Sequence, residues 1–478
     1  MRTLFLQAPS FDGFDGGAGS RYQARREIRS FWYPTWLAQV AAMVPDSKLI
    51  DAIPHRIALA DVVRKAARYE LAVLHTSTPS FSSDVRVVEV LKAANPRLKI
   101  GFVGAKVAVE PQTSLASSGA IDFVAGNEFD FTIKEIAEGR DWSAIDGLSY
   151  RDGFGTIRHN RPRAILDNMD ALPFVTPVYQ RDLTIANYFI GYLRHPYISL
   201  YAGRGCKSRC TFCLWPQTVG GHRYRTRSVG HVVDEIRWAK AAFPQVKEFF
   251  FDDDTFTDDA KRAEAIAREL AKLGVTWSCN AKANVARSTL KILKDCGLRL
   301  LLVGYESGNQ QILHNVKKGM RVDVAKRFAK DCRELGIVTH GTFILGLPGE
   351  TKETIEETIR FALEVNPHTV QVSLAAPYPG TSLYAQAVRE GWLDAAHAEL
   401  VDGNGVQLAP LNYPHLSHTE MFDSVEAFYR RFYFRSGKIA AIVAEMVRSP
   451  EMMRRRLREG IEFFQFLRER RAGAASNA

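Results

Sequence analysis

Residues 203–216 read GRGCKSRCTFCLWP and gather three of the chain's six cysteines, Cys206, Cys210 and Cys213, into eight positions. Thiolates at spacings of four and three can meet on one inorganic centre only if the backbone curls into a loop, and Gly203 and Gly205 ease that turn. A structural zinc would need a fourth Cys or His at finger-like spacing, and the nearest histidines, His195 and His222, do not supply it. Three cysteines suit an iron–sulfur cluster, where four ligands are usual and a missing one leaves an iron open to a small molecule. Cys279, Cys296 and Cys332 share no such spacing and read as core residues.

The segment that leads into the cysteines, YISLYAGRG, is the first of six apolar runs of strand length. KEFFFDDD, TWSCNAKA, LRLLLVGYES, VTHGTFILGLPG and TVQVSLAAPYPG follow, with helical patterns such as VVDEIRWAKAAF and DDAKRAEAIARELAKLG between them. Six β/α units amount to a partial barrel whose reactive groups gather at the carboxyl ends of the strands, and the cysteines fall just past the first of those ends. Asp252 to Asp254, Ser278, Asn280, Lys282 and Glu306 occupy the other ends. The acidic triplet also reads as a helix N-terminal cap, since Thr257 and Asp258 follow it.

Upstream, a second alternating series runs through RTLFLQAP, SKLIDA, YELAVLHTS, LKIGFVGA and IDFVAGNE, again separated by helical patterns. It predicts a doubly wound parallel sheet over residues 1–135, with ligand-lining positions beyond its strands at Ser77, Thr78, Gly104, Ala105, Gly126 and Glu128. Residues 136–194 carry Asp152-Gly153 and Phe154-Gly155 and read as a hairpin and linker. The barrel takes residues 195–385, and residues 386–478 are helical, basic and aromatic. The predicted fold class is therefore α/β: an amino-terminal doubly wound sheet, a (β/α)6 barrel and a helical carboxyl-terminal region.

Composition is that of a globular protein: 478 residues, 46% hydrophobic, with a formal net charge of +10. Six cysteines are too few for a disulfide scaffold. No charged leader with an apolar run opens the chain, and no apolar stretch is long enough to span a bilayer, so the expected compartment is the cytoplasm. Basic residues concentrate late, where Arg430, Arg431, Arg435 and Arg454 to Arg456 interleave with Phe and Tyr. That pattern fits a solvated helix face, the surface of an anionic membrane, or a nucleic acid.

CKSRCTFC resembles the CxxxCxΦC signature of the radical S-adenosylmethionine (SAM) superfamily, with Phe212 in the aromatic place. VGYESGNQ, GTFILGLPGET and AAPYPGTSLY resemble that family's fourth, fifth and sixth strand segments in the right order. The resemblance implies a 4Fe-4S cluster on Cys206, Cys210 and Cys213, and SAM held on the open iron beside Phe212, Asp252, Ser278, Asn280, Lys282 and Glu306. It also implies reductive cleavage of SAM to a 5′-deoxyadenosyl radical that abstracts hydrogen from substrate, with a ferredoxin or flavodoxin as reductant. Tyr192, Tyr197, Tyr305 and Tyr378 are candidate radical relays or core residues.

A parallel sheet ahead of such a barrel is similar to the cobalamin-binding subgroup, and VGAKVAVEP and AGNEFDF resemble its nucleotide-binding loops. The subgroup's Asp-x-His-x-x-Gly motif is absent, and the first loop, SFDGFDGGAGSRYQ, has no histidine. Cobalamin on this domain would then have no histidine from that motif, and a sheet that only packs on the barrel is the other reading. Over its length the chain resembles the hopanoid-biosynthesis radical SAM family associated with the cyclitol ether headgroup. That implies ring contraction of an amino sugar on bacteriohopanetetrol, a lipid substrate, and a basic tail docked on the membrane's inner face. The alternatives are a cobalamin-dependent methylase of a hopanoid or other lipid and, third, an RNA-modifying enzyme. No RNA-binding module is recognisable, so no nucleic acid is expected as partner.

Overall fold

The computed structural model describes residues 1–9, 30–394, 399–401, 407–448 and 453–465. The first sheet contains β1 (Thr3–Gln7), β2 (Ser47–Asp51), β3 (Leu71–His75), β4 (Lys99–Val103), β5 (Phe123–Ala125), β6 (Leu148–Arg151) and β7 (Ile157–His159). Their order is β2-β1-β3-β4-β5-β6-β7. The first five are parallel, and β6 and β7 add antiparallel at one edge. A parallel strand covered on both faces reads as a continuous apolar run, and TLFLQ of β1 is buried at every position. Alternate residues serve different cores: Leu4 and Leu6 pack with Leu74 and Phe102, whereas Phe5 and Val73 pack with Phe123 and Leu37.

The hairpin at 148–159 belongs to this sheet, because β6 pairs with β5 through Phe123↔Tyr150 and Ala125↔Leu148. The sheet thus runs past residue 135. Its order reverses between β1 and β3, and in such sheets the ligand crevice opens there, beyond the carboxyl ends. The β3 side of that crevice is His75 to Ser80. The β1 side runs into 10–29, so the expectation for SFDGFDGGAGSRYQ lies outside the described residues.

The second sheet has six parallel strands, β8 (Tyr197–Leu200), β11 (Glu248–Phe251), β12 (Trp277–Ala281), β13 (Leu298–Glu306), β14 (Val338–Leu345) and β15 (Thr369–Leu374). Between β8 and β11 lies a ribbon of β9 (Gly203–Arg204) and β10 (Arg225–Thr226). The sheet order is β15-β14-β13-β12-β11-β8, a curled half-barrel in which β8 and β15 are both edges. One core joins it to the first sheet: Phe5, Leu37, Tyr179 and Tyr188 belong to the same buried cluster as Tyr197, Phe250 and Trp277.

An edge strand leaves N–H groups bare, and β15 has its own covered by side chains. The Val370 N–H donates to Tyr433 Oη (3.0 Å), Val372 N–H to Tyr429 Oη (2.8 Å) and Leu374 N–H to Gln407 Oε1 (3.2 Å). Tyr429 and Tyr433 reach successive sites because they stand four apart on helix His418–Tyr433. That helix opens with a Ser417/Glu420 capping box. Helix Ser436–Arg448 and helical residues 453–465 complete the chain's described end. No helix among the described residues is long and apolar enough to cross a membrane.

Candidate active site

The cysteine loop leaves β8 and folds back on the ribbon. Gly205 sits at φ +87°, where a Cβ would meet the carbonyls of Arg223 and Gly220, so only glycine fits. Gln217 then fixes the loop, its Nε2 donating to the carbonyls of Cys210 (3.2 Å), Thr211 (3.2 Å) and Cys213 (2.6 Å). Gln217 Oε1 in turn accepts from Ser382 N–H (2.8 Å), anchoring the loop to the helix after β15. Ser208 N–H (3.4 Å) and Thr255 Oγ1 (3.9 Å) approach Cys206 Sγ.

All three cysteines line one cavity of about 290 Å³ at the carboxyl ends of the barrel strands. Burial pushes the Cys210 and Cys213 thiols up, Cys213 well above the ordinary thiol value. Among the described residues no three His, Cys, Asp or Glu side chains gather as the ligands of a single metal ion. A cluster takes one thiolate at each of separate irons, so it accepts cysteines set further apart.

Opposite the cysteines stands a carboxylate–ammonium pair. Glu306 ends β13 at φ +63°, where the pairing of β13 with β14 shifts register. Its Oε1 is 2.6 Å from Lys318 Nζ. Burial works against the Lys318 charge, but the Glu306 carboxylate beside it outweighs this and raises the lysine's pKa. Gly304 leaves the pair its place, since a Cβ there would press on Glu306 Oε1 and reach 3.0 Å from Lys318 Nζ.

Phe212, Asp252, Asn280, Lys282 and Glu306 all line the cavity, as the sequence suggested. Asn280 Nδ2 donates to Asp253 O (2.8 Å) and Asp252 Oδ1 (3.3 Å), and Lys282 Nζ pairs with Asp258 (2.6 Å). Ser278 does not reach the cavity. The two-residue period puts it on the same face as Asn280 but one layer deeper, where its hydroxyl donates to Glu248, the partner of Arg299 at 2.9 Å. Within the acidic triplet, Asp252 and Asp254 face the cavity, while Asp253 is buried and accepts from Ala202 N–H and Tyr224 Oη–H, each at 2.6 Å. Burial raises Asp253 to about 7. The cap of the following helix is Asp259 instead of the triplet, through its bond from Arg262 N–H.

Of the tyrosines, Tyr192 and Tyr378 line the cavity, whereas Tyr197 and Tyr305 are core residues, Tyr305 against Phe343 and Phe361. Trp32, Lys318 and Gln407 line the cavity without having been singled out in the sequence. Lys318 follows a short helix beyond the strand motif, and Trp32 and Gln407 come from remote segments, so no local pattern marks them.

The ribbon ties the site to the amino-terminal sheet. Arg204 and Arg225 are paired in register, and each forks onto a buried carboxylate: Arg204 onto Asp130 (2.7 and 3.1 Å) and Arg225 onto Glu128 (2.7 and 2.6 Å). Glu128, read from sequence as lining a cofactor, is thus committed to Arg225. Its own strand is two places from the switch point. Gly126 N–H is bonded to Gly147 O (2.9 Å), and Gly104 and Ala105 start the helix Ala105–Val109. Ser77 and Thr78 stand on the crevice's β3 side, the Ser77 hydroxyl 3.0 Å from that of Ser80. At the end of β3, His75 stacks on Trp215 with ring centroids 6.5 Å apart, and Trp215 stacks on Trp36 at 5.4 Å. Trp215 lies two residues past Cys213 and lines the cavity, so the sheet's carboxyl edge adjoins the cysteine loop.

The family model described as the radical SAM superfamily matches residues 200–362, from the end of β8 into helix Lys352–Val365. An uncharacterized methyltransferase of Pyrococcus horikoshii is 30% identical over 381 residues, covering 77% of this chain and 81% of that protein. The chain belongs to the radical SAM superfamily. As a radical SAM enzyme it works with SAM and a 4Fe-4S cluster. Two solved structures share its fold. The radical SAM methyltransferase TsrM of Kitasatospora setae, with tryptophan and a SAM analogue bound, has a TM-score of 0.67 at 16% identity, covering 90% of this chain and 89% of that one. The cobalamin-dependent SAM radical enzyme OxsB, with aqua-cobalamin and SAM bound, has a TM-score of 0.69 at 14% identity, covering 97% and 71%.

Proposed function

We propose that this radical SAM enzyme is a cobalamin-dependent methyltransferase. The observation that carries the reading is the contact of the first sheet's carboxyl edge with the cysteine loop, His75 on Trp215, which sets a cofactor crevice beside the barrel cavity. The methyltransferase relative and the two fold neighbours, one a methyltransferase and one bound to cobalamin, support it.

The donor set fits the groups. Cys206, Cys210 and Cys213 would hold the cluster, leaving one iron for SAM. Lys318 would meet the SAM carboxylate, and Glu306, Asn280 and Asp252 its cationic and hydroxyl groups, with Phe212 against the cofactor. Ser77 and Thr78 would contact cobalamin at the β1/β3 crevice. Bound there, the cluster would supply an electron to SAM and cobalamin would carry a methyl group. The protein's own work is to seat the cluster and SAM in a cavity walled by Trp32, Phe212 and Tyr378, away from water. A ferredoxin or flavodoxin would be the electron donor.

Ring contraction of an amino sugar on bacteriohopanetetrol rests on sequence stretches alone, part of them in 10–29, and the relatives named above do not add to it. One experiment separates the two. Anaerobically reconstituted enzyme with SAM, cobalamin, reductant and a hopanoid glycoside yields S-adenosylhomocysteine and a methylated product if it is a methyltransferase. Deoxyadenosine with an unmethylated, ring-contracted product overturns that reading in favour of the other.

A further inference from the structure

Many of the basic residues near the chain's end are held by the chain's own side chains. Arg431 forks onto Glu356, Arg435 bonds to Asn366 Oδ1 (2.9 Å), Arg455 pairs with Glu459 (3.0 Å) and Arg456 with Glu445 (2.6 Å). The outer surface carries the apolar residues instead. On helix Ser436–Arg448, Ile439, Val443 and Val447 are 44%, 50% and 81% exposed. On residues 453–465, Met453, Leu457, Ile461 and Phe464 are 44–59% exposed. Spacings of four, and of three from Ile461 to Phe464, set each group on one face of its helix.

Two contacts fix how the helices lie together. Arg456 meets Glu445, and Phe464 meets Phe434 with ring centroids 6.2 Å apart, which makes an antiparallel hairpin. Carried along that register, Ile439 falls opposite Ile461, Val443 opposite Leu457 and Val447 opposite Met453. The result is a continuous apolar face backed by a layer of ion pairs, the reverse of a water-facing helix pair. Every exposed residue of 436–447 and 453–465 is apolar, small or neutral, except Arg454 and Arg458, and none is acidic.

We infer that this hairpin docks the enzyme on an anionic lipid surface. The apolar rungs enter the interfacial layer and Arg454 meets the headgroups, with exposed Arg430 nearby in sequence and Arg458 half-exposed where it lies over Phe189, 3.7 Å from Glu462. A second copy of this chain would bring arginine against arginine around the same face, which charge complementarity disfavours.

The full chain is tested by co-sedimentation with phosphatidylcholine vesicles, with and without about 30% phosphatidylglycerol. Wild type is expected to bind the anionic vesicles, less so as salt rises. The double variant Val443→Glu/Ile461→Glu, altered only at exposed positions, should partition more than about tenfold less. Phe154→Glu, in the distant β6–β7 turn, should bind like wild type. Thermal melts of both variants check that folding is intact. Wild type that stays in the supernatant with either vesicle overturns the inference. So does a folded double variant that binds as well as wild type, or a vesicle-free dimer that the double variant dissociates.

Discussion

Arg225 grips both oxygens of Glu128 at 2.6 and 2.7 Å, one strand residue opposite Arg204 on the ribbon that carries the cysteine loop. Both partners are almost wholly buried. Removing Arg225 leaves Glu128 buried with only the long 3.9 Å approach of Arg204 and the Leu166 N–H, and breaking a buried pair costs about 3–5 kcal/mol. Arg225→Ala should lower the denaturant midpoint accordingly, whereas Arg225→Met with Glu128→Leu should recover much of the loss. Equal destabilisation by the single and double variants would show that the pair does not act as a unit.

Lys318 and Glu306 face the cysteines across the cavity. Lys318→Met should retain about four irons per chain after reconstitution, because none of the three cysteines is touched. SAM binding, read by equilibrium dialysis, should weaken by at least about tenfold through loss of a charge-assisted contact to the cofactor. Unchanged SAM affinity would remove Lys318 from the site.

Replacing any of Cys206, Cys210 and Cys213 by alanine should abolish the cluster's visible absorption and its iron content. Cys279→Ala and Cys332→Ala should leave both intact, since those thiols are buried in the core. Iron and sulfide assays on the five proteins decide the matter.

Glu350 is buried where Gly346 and Leu347 N–H donate to one oxygen, and burial raises it from an ordinary 4.5 to about 8. The folded state therefore holds this proton more tightly than the unfolded chain. Its contribution is complete below about pH 4.5 and declines as pH climbs towards 8, by an amount on the order of a few kcal/mol. Glu350→Gln should flatten that part of a stability-versus-pH curve measured in urea. A wild type whose stability is level from pH 5 to 8 would contradict the assignment.

Most of the barrel was legible because each strand is a short apolar run ending at a chemically marked position: the cysteines after β8, the acidic triplet after β11, Glu306 at the end of β13. Strand period makes the positions at the barrel mouth legible, and Ser278 shows the limit, since period sets the face but not the depth. Lys318, Trp32 and Gln407 are invisible in the sequence because their places depend on how separate segments pack. Glu128 was misassigned for a related reason: a polar residue after a strand in a doubly wound sheet looks like a ligand contact, and nothing local reveals that Arg225, 97 positions on, will claim it. The hairpin over 148–159 was legible as a hairpin, but only the pairing of β6 with β5 assigns it to a sheet.

The row of N–H groups along β15 is satisfied by Gln407, Tyr429 and Tyr433, all supplied by later chain. During synthesis, the six-stranded sheet can form before those residues emerge, and until then its last strand is an open template for another chain. Helix His418–Tyr433 is in this sense a built-in chaperone for the barrel. Ribosomes that stop short of residue 429 should release a protein with all three cysteines of the 206–213 loop present and a strong tendency to aggregate.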